Sequence, residues 1–277
     1  MITPPDLVTL DYVRQHRRLQ STQTTDNTLL QSMITEASAE FQRQIDRVCM
    51  PYLATNVFDY QAPYTLTFRG YDLLAVTTLT NGDGDTISGS EYVLRSANEY
   101  PKWRIEIKAT GTSTFTWDDT WHEAISIAGT WGYVPNYPSF WTASGSVVPA
   151  GNISDSATSA TLVSAAMLEV GMYVRVDSEV MQLVTVNTST GAITFTRAEL
   201  GTTAAAHTAA AVIYRANVLP DIMKAVRELA VYAYLSKDKS AGRVTVYEGG
   251  TVTVDDLDPS VDRAIKDHRR KQIVSVR

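Results

Sequence analysis

The sequence predicts an α+β fold: a small helical core, a β-rich region and an inserted all-β module. Three observations carry that expectation. Two long segments place apolar residues at helical spacing, period-two alternation fills much of the chain between them, and the composition changes abruptly over residues 139 to 216. At 277 residues, 44% hydrophobic and 19% charged, the chain is long enough to bury a full core. That composition excludes collagen, polar disordered tails and disulfide-stapled mini-proteins.

The first long helix is expected over about Asp26 to Cys49, where Leu30, Met33, Ile34, Ala37, Phe41, Ile45 and Val48 form one stripe. Asp26 suits its N-cap, and Pro51 prevents it from running on. A shorter helix is expected near Leu7 to Leu19. From Tyr52 to Tyr133 the alternation of Tyr64 to Phe68, Trp103 to Ile107 and Ala124 to Ala128 reads as strands with one buried face. Asn81-Gly82-Asp83-Gly84 separates Ala75–Leu79 from Tyr92–Leu94 and predicts a hairpin between them.

Residues 139 to 216 hold a single proline and no lysine, and are rich in Ser, Thr, Ala and Val. Tyr173–Val176, Val180–Val186, Ala192–Thr196 and Val212–Tyr214 read as short strands of a β-barrel or sandwich. The division expected is therefore 1–138 with 217–277 as one body and 139–216 as the insertion. A second long helix opens at Pro220 with the stripe Ile222, Met223, Val226, Leu229, Ala230, Ala233, expected to pack on the first. Residues 240 to 257 look like an extended arm. Asp258-Pro259 caps a last helix to about Lys271, with Val261, Ala264 and Ile265 as its apolar face.

The net charge of −6 argues against a dedicated nucleic-acid binder. No run approaches the roughly eighteen apolar residues of a membrane span. The opening Met1-Ile2-Thr3-Pro4-Pro5-Asp6 shows no signal peptide, and the single cysteine, Cys49, fits a reducing compartment or a chain indifferent to redox state. Phosphate-loop, dinucleotide-binding and nucleophile-elbow patterns are missing from the sequence, so no catalytic, cofactor or metal site is expected. His122 lacks the second histidine of a zinc helix. Asn81, Asp83 and Asp85 imitate the start of a calcium loop, but Thr86 and Tyr92 stand where Gly and a bidentate Glu are needed, which favours a turn. Trp117-Asp118-Asp119-Thr120-Trp121 could stack on a sugar, with packing the commoner role for such tryptophans.

The order of segments is more informative than any one of them. Asp26-Asn27-Thr28-Leu29-Leu30 opens a helix ending in Asp46-Arg47-Val48-Cys49. Next come Asn81-Gly82-Asp83-Gly84, Glu91-Tyr92-Val93-Leu94, Pro101 to Ile107 and Ile125 to Pro135. The helix Leu219 to Tyr234 and the ending Val261 to Arg270 complete the set. This succession, over about residues 5 to 138 and 217 to 272, resembles the head-tail connector, or adaptor, family of long-tailed double-stranded DNA bacteriophages. The 139–216 insertion departs from small members. Its Thr194 to His207 segment, with Arg197-Ala198-Glu199-Leu200-Gly201-Thr202-Thr203, looks like a turn motif met in β-modules of other phage structural proteins.

The resemblance implies a non-enzymatic virion protein assembled in the host cytoplasm. It would form a homo-oligomeric ring, usually a dodecamer, at the neck between the portal and a downstream neck, stopper or tail protein. Genomic DNA would pass through the ring without specific binding, and no cofactor or membrane is involved. In the family the C-terminal segment commonly grips the portal, which makes Val261, Arg263, Ile265, Lys266, Arg269 and Arg270 the candidate portal-binding residues. Another neck component, such as a tail-completion or stopper protein, is the nearest alternative. A glycan-binding or glycan-cleaving module is the other, with Asp118, Asp119 and Glu123 as its candidate carboxylates.

Overall fold

The computed structural model describes residues 3–16, 19, 26–236 and 258–270. The fold is α+β, with helices beside three antiparallel sheets. The chain forms two compact units: Met1–Asp46, Trp141–Glu199 and Thr203–Arg277 make the first, and Arg47–Phe140 with Leu200–Thr202 the second. This grouping differs from the division expected from the sequence, because the helices and the 141–199 segment fall in one unit.

In the first unit, α1 (Leu10–Arg14) is much shorter than expected, and Thr9 rather than Leu7 marks its start by capping the Tyr12 amide. The long helix α2 (Asn27–Ile45) buries Leu30, Ile34, Ala37, Phe41 and Ile45, as the stripe predicts. It ends four residues before Cys49. Asp46 adopts the left-handed conformation at φ 56°, and its amide closes back onto Arg43 and Gln42, which turns the chain away before Val48. Asp26 holds the N-cap position without capping through its side chain, and it accepts a hydrogen bond from Tyr234 Oη at 2.6 Å.

Helix α3 (Pro220–Ser236) packs on α2 and buries Ile222, Ala225, Val226, Ala230 and Val231. Leu229 and Ala233, expected in the same seam, are only half-buried. Helix α4 (Pro259–His268) lies against both α3 and α2. The arm 240–257 and Lys271 lie outside the described residues.

The same unit contains a six-stranded antiparallel sheet. Its strands are β7 (Trp141–Val147), β8 (Ser159–Thr161), β9 (Tyr173–Val176), β10 (Glu179–Val186), β11 (Ala192–Thr196) and β12 (Val212–Ala216), in the order β7-β12-β9-β10-β11-β8. The four strands expected from the sequence are present, and β7 and β8 extend the sheet at its edges. Its own apolar core includes Val174, Val176, Met181, Leu183, Ile193, Phe195 and Ile213. The sheet is also tied to the N-terminal segment. Thr9 Oγ1 donates to the Glu169 carboxylate, and Tyr173 is buried near Asp6, where burial and the Asp6 and Glu199 carboxylates push its phenol pKa upward. Such ties are a physical reason why contacts group sheet and helices together.

The second unit contains two three-stranded sheets. One has the order β1-β6-β3, from β1 (Tyr52–Phe58), β6 (Ile125–Trp131) and β3 (Leu73–Thr80). The other has β2-β5-β4, from β2 (Thr65–Thr67), β5 (Arg104–Ile107) and β4 (Tyr92–Arg95). They share a core of Leu66, Leu73, Leu79, Ile105, Ile125, Ile127 and Trp131. The Trp131 ring is fully buried, in contact with Phe58, Phe68 and Tyr71, and its Nε1 donates to Ala54 O at 3.0 Å. At Gly129 a Cβ would lie 2.3 Å from Ala75 O, so the β3–β6 approach requires glycine there.

The hairpin expected between Ala75–Leu79 and Tyr92–Leu94 does not form. The chain turns at Asn81–Asp85 and returns far enough to bridge Thr80 with Thr86 and to place the Ile87 amide on Leu79 O. Ile87 then enters the core, and β4 leaves to pair with β5 while β3 pairs with β6. Core burial at Ile87 overrides the local turn signal.

Candidate functional site

The C-terminal helix holds the residues that the sequence nominates for binding. Asp258 caps it, its carboxylate accepting the Ser260 amide at 2.8 Å, and Pro259 occupies the first turn, where no amide is needed. Spacing then puts Val261, Ala264 and His268 on one buried face, with Val261 wholly inside its own chain. His268 Nε2 lies 2.7 Å from the Asp221 carboxylate at the start of α3. Beyond the helix, the Arg270 amide donates to Ile45 O at 3.0 Å and its Nε to Asp46 O at 3.1 Å. Those contacts satisfy carbonyls that the end of α2 would otherwise leave to water.

The six nominated residues therefore separate. Val261 is consumed at home, Ile265 is half-buried, and Arg270 is tied to Asp46, whose carboxylate lies 3.2 Å from its Nε. Arg263, Lys266 and Arg269 are exposed, sharing the surface with Asp262 and Asp267. An apolar face held open for the portal, as the sequence suggested for Val261 and Ile265, is not what the helix presents. Helix α4 instead packs against α2 and α3 of its own chain.

The second concentration of charge is buried in the six-stranded sheet. Glu179, at the start of β10, is completely inaccessible. Its Oε1 accepts from Arg197 Nε at 2.9 Å and the Ala198 amide at 3.2 Å. Its Oε2 accepts from Arg197 Nη2 and, at 2.9 Å, from the Ala205 amide. His207 bridges Glu179 and Asp177, each at 2.9 Å. Arg197 also donates to the carbonyls of Ser154, Ala157 and Ala205. Burial pushes the Glu179 carboxyl upward, but Arg197, the Ala205 and Ala198 amides and His207 outweigh it and hold its pKa at about 2. The Arg197-to-His207 turn motif is thus a staple, closing a loop onto a strand with its polar groups paired.

The other residues raised by the sequence serve local structure. Asn81 donates through Nδ2 to Thr114 O and accepts the Thr116 amide, both at 2.8 Å. Asp83 accepts the Asp85 amide at 3.0 Å and Thr116 Oγ1 at 2.7 Å, bonds that lower its carboxyl pKa. Trp117 and Trp121 are half-exposed, and the Trp121 and His122 rings meet in a tilted arrangement, 3.6 Å between ring centres. Asp118, Asp119 and Glu123 are all exposed, whereas a glycosidic general acid needs a desolvated carboxyl. Cys49 is buried, and His122 lies exposed 3.8 Å from Asp59. Among the described residues no group of three or more His, Cys, Asp or Glu side chains could hold a metal ion, and no helix is long and apolar enough to cross a membrane.

Sequence reasoning missed Glu179, Asp177 and Asp221. Glu179 and Asp177 lie far along the chain from Arg197 and His207, and Asp221 from His268, so no local spacing announces the pairs. Comparison with protein-family models, with curated proteins and with solved structures finds no match for this chain.

Proposed function

We propose that the chain is a structural virion protein of a DNA bacteriophage, forming a ring at the neck between portal and tail. The observation that carries this reading is the spending of buried charge on structure. The Glu179–Arg197–His207 staple and the His268–Asp221 and Arg270–Asp46 contacts all close loops or dock helices. The segment order noted in the sequence supports the head-tail connector family in particular. A ring of twelve copies would extend the DNA conduit, and a net charge of −6 per chain suits a bore along which DNA slides without being held. The partners on this reading are the portal and the downstream neck or tail protein, with neither cofactor nor catalysis required.

The test is direct. The purified chain is examined for mass in solution and by negative-stain microscopy, alone and with the portal of a long-tailed phage. Closed rings that co-sediment with portal are expected. A protein that stays monomeric with portal and at high concentration would overturn the reading.

A further inference from the structure

We propose that the indoles of Trp117 and Trp121 form a binding site for a neutral oligosaccharide of pyranose units, held without being cleaved. The site is independent of the ring reading above. Each indole is 48% exposed, although burying an aromatic ring is among the larger gains a fold can make. The backbone keeps them there. Gly82 forms a parallel bridge with Trp117, so close that a Cβ on Gly82 would lie 2.8 Å from the Trp117 Cα. Just before Trp117, the buried Asn81 side chain holds the Thr114 carbonyl and the Thr116 amide. At the other end the Tyr60 amide donates to Trp121 O at 2.8 Å. Both rings are thus fixed at their backbones with half of each left in solvent, which spares a ligand the cost of ordering them.

The chemistry around the rings selects the ligand. The C–H face of a pyranose carries slight positive charge and lies flat on the electron-rich face of an indole. The His122 ring, 3.6 Å from that of Trp121 between centres, backs one side of that indole, so a sugar takes the other. Asp118 and Asp119 lie between the two tryptophans in sequence, are exposed, and have no hydrogen-bond or ion-pair partner among the described residues. Sugar hydroxyls donate, and such carboxylates only accept. Residues 109–124 contain no Lys or Arg, and Asp59 and Asp83 border the segment through the Glu123 amide and Thr116 Oγ1. An acidic glycan would be repelled there, so the sugar is neutral. A protein partner fits less well. Docked proteins bury about 800 Å² a side around an apolar centre depleted of charge, whereas carboxylates border these two rings.

The experiment titrates the full-length protein with chitohexaose, cellohexaose, maltohexaose and mannohexaose, reading tryptophan emission and heat of binding. At least one probe is expected to bind saturably with a Kd of about 1 mM or tighter. Because the ligand is neutral, that binding should be unchanged in salt of about 0.5 M. Trp117→Ala and Trp121→Ala should each weaken it by about tenfold. Asp118→Asn with Asp119→Asn, which keeps the rings and the backbone contacts, should weaken it by about threefold. Unchanged thermal melts show that each variant keeps its fold. No saturable binding of any probe up to about 5 mM overturns the proposal. A probe held as tightly by both tryptophan variants as by the parent sits elsewhere and overturns it too. Salt-sensitive capture of an octa-arginine peptide, with no sugar bound, would make the segment a docking point for a cationic protein and overturns it as well. Each of these results leaves the ring reading standing.

Discussion

Glu179→Gln tests whether the buried staple holds its sheet together. The substitution preserves shape but leaves the Arg197 guanidinium, 8% exposed, without its anion. Removing one partner of a buried ion pair costs about 3–5 kcal/mol, because the survivor keeps its desolvation penalty. The pH dependence gives an independent measure. The carboxyl moves from an ordinary 4.5 to about 2 on folding, so the folded state holds its proton less tightly than the unfolded state. Stability from this group is therefore fully present above about pH 5 and is lost as the pH falls from there through 2. A shift of that size corresponds to about 3 kcal/mol. Denaturant unfolding followed by far-ultraviolet circular dichroism, at pH 7 and pH 3, reads both. The variant should be less stable by about 3–5 kcal/mol at pH 7, and the gap should narrow by about 1–2 kcal/mol at pH 3. Glu179→Gln with Arg197→Met, which removes both charges, should recover part of the loss. A neutral single variant, or a penalty equal at both pH values, would refute the reasoning.

Phe41→Ala, at a wholly buried position of α2, should cost about 3–5 kcal/mol in a thermal or urea melt. Val261→Asp places an unpaired carboxylate at a buried position of α4, so limited proteolysis should cut near residue 258 much faster than in the parent protein. Gly132→Ala sets a Cβ 2.2 Å from Met50 O at a φ of +133°, and should lower the melting temperature well beyond the effect of a surface Gly→Ala change. Replacing residues 139–216 by a short Gly-Ser linker should destabilise the helices as well as delete the sheet, because Thr9 and Asp6 lose Glu169 and Tyr173; an unchanged helical melt would return the segment to the status of a detachable insertion.

What the sequence made legible follows from the range of the interactions concerned. The stripes of α2 and α3, the Asp258 cap and the strands β9 to β12 are set by residues within a turn or two of one another, and periodicity finds them. The end of α2 at Ile45 depends on Asp46 taking a left-handed conformation, which residues after a helix adopt only when their surroundings favour it. The pairing of β4 with β5 depends on Ile87 entering a core assembled from strands many residues apart. The site suffered in the same way. Basic residues at the end of α4 were visible, but the surface that α4 packs on belongs to α2 and α3, and the carboxylates that hold His207 and His268 are distant in the chain.

The distribution of indoles gives the molecule its own optical labels. Of the five tryptophans, Trp141 alone falls in the first unit, while Trp103, Trp117, Trp121 and Trp131 fall in the second. Within that second unit Trp131 is sealed among aromatic rings, and the other three stand roughly half in solvent. A collisional quencher such as iodide will reach the exposed three and spare Trp131, leaving a blue-shifted emission whose loss reports opening of that core. Replacing Trp141 with phenylalanine removes the first unit's signal, so subtraction from the parent spectrum isolates it. Melting of the two units can then be followed separately in the intact chain, with no dye attached.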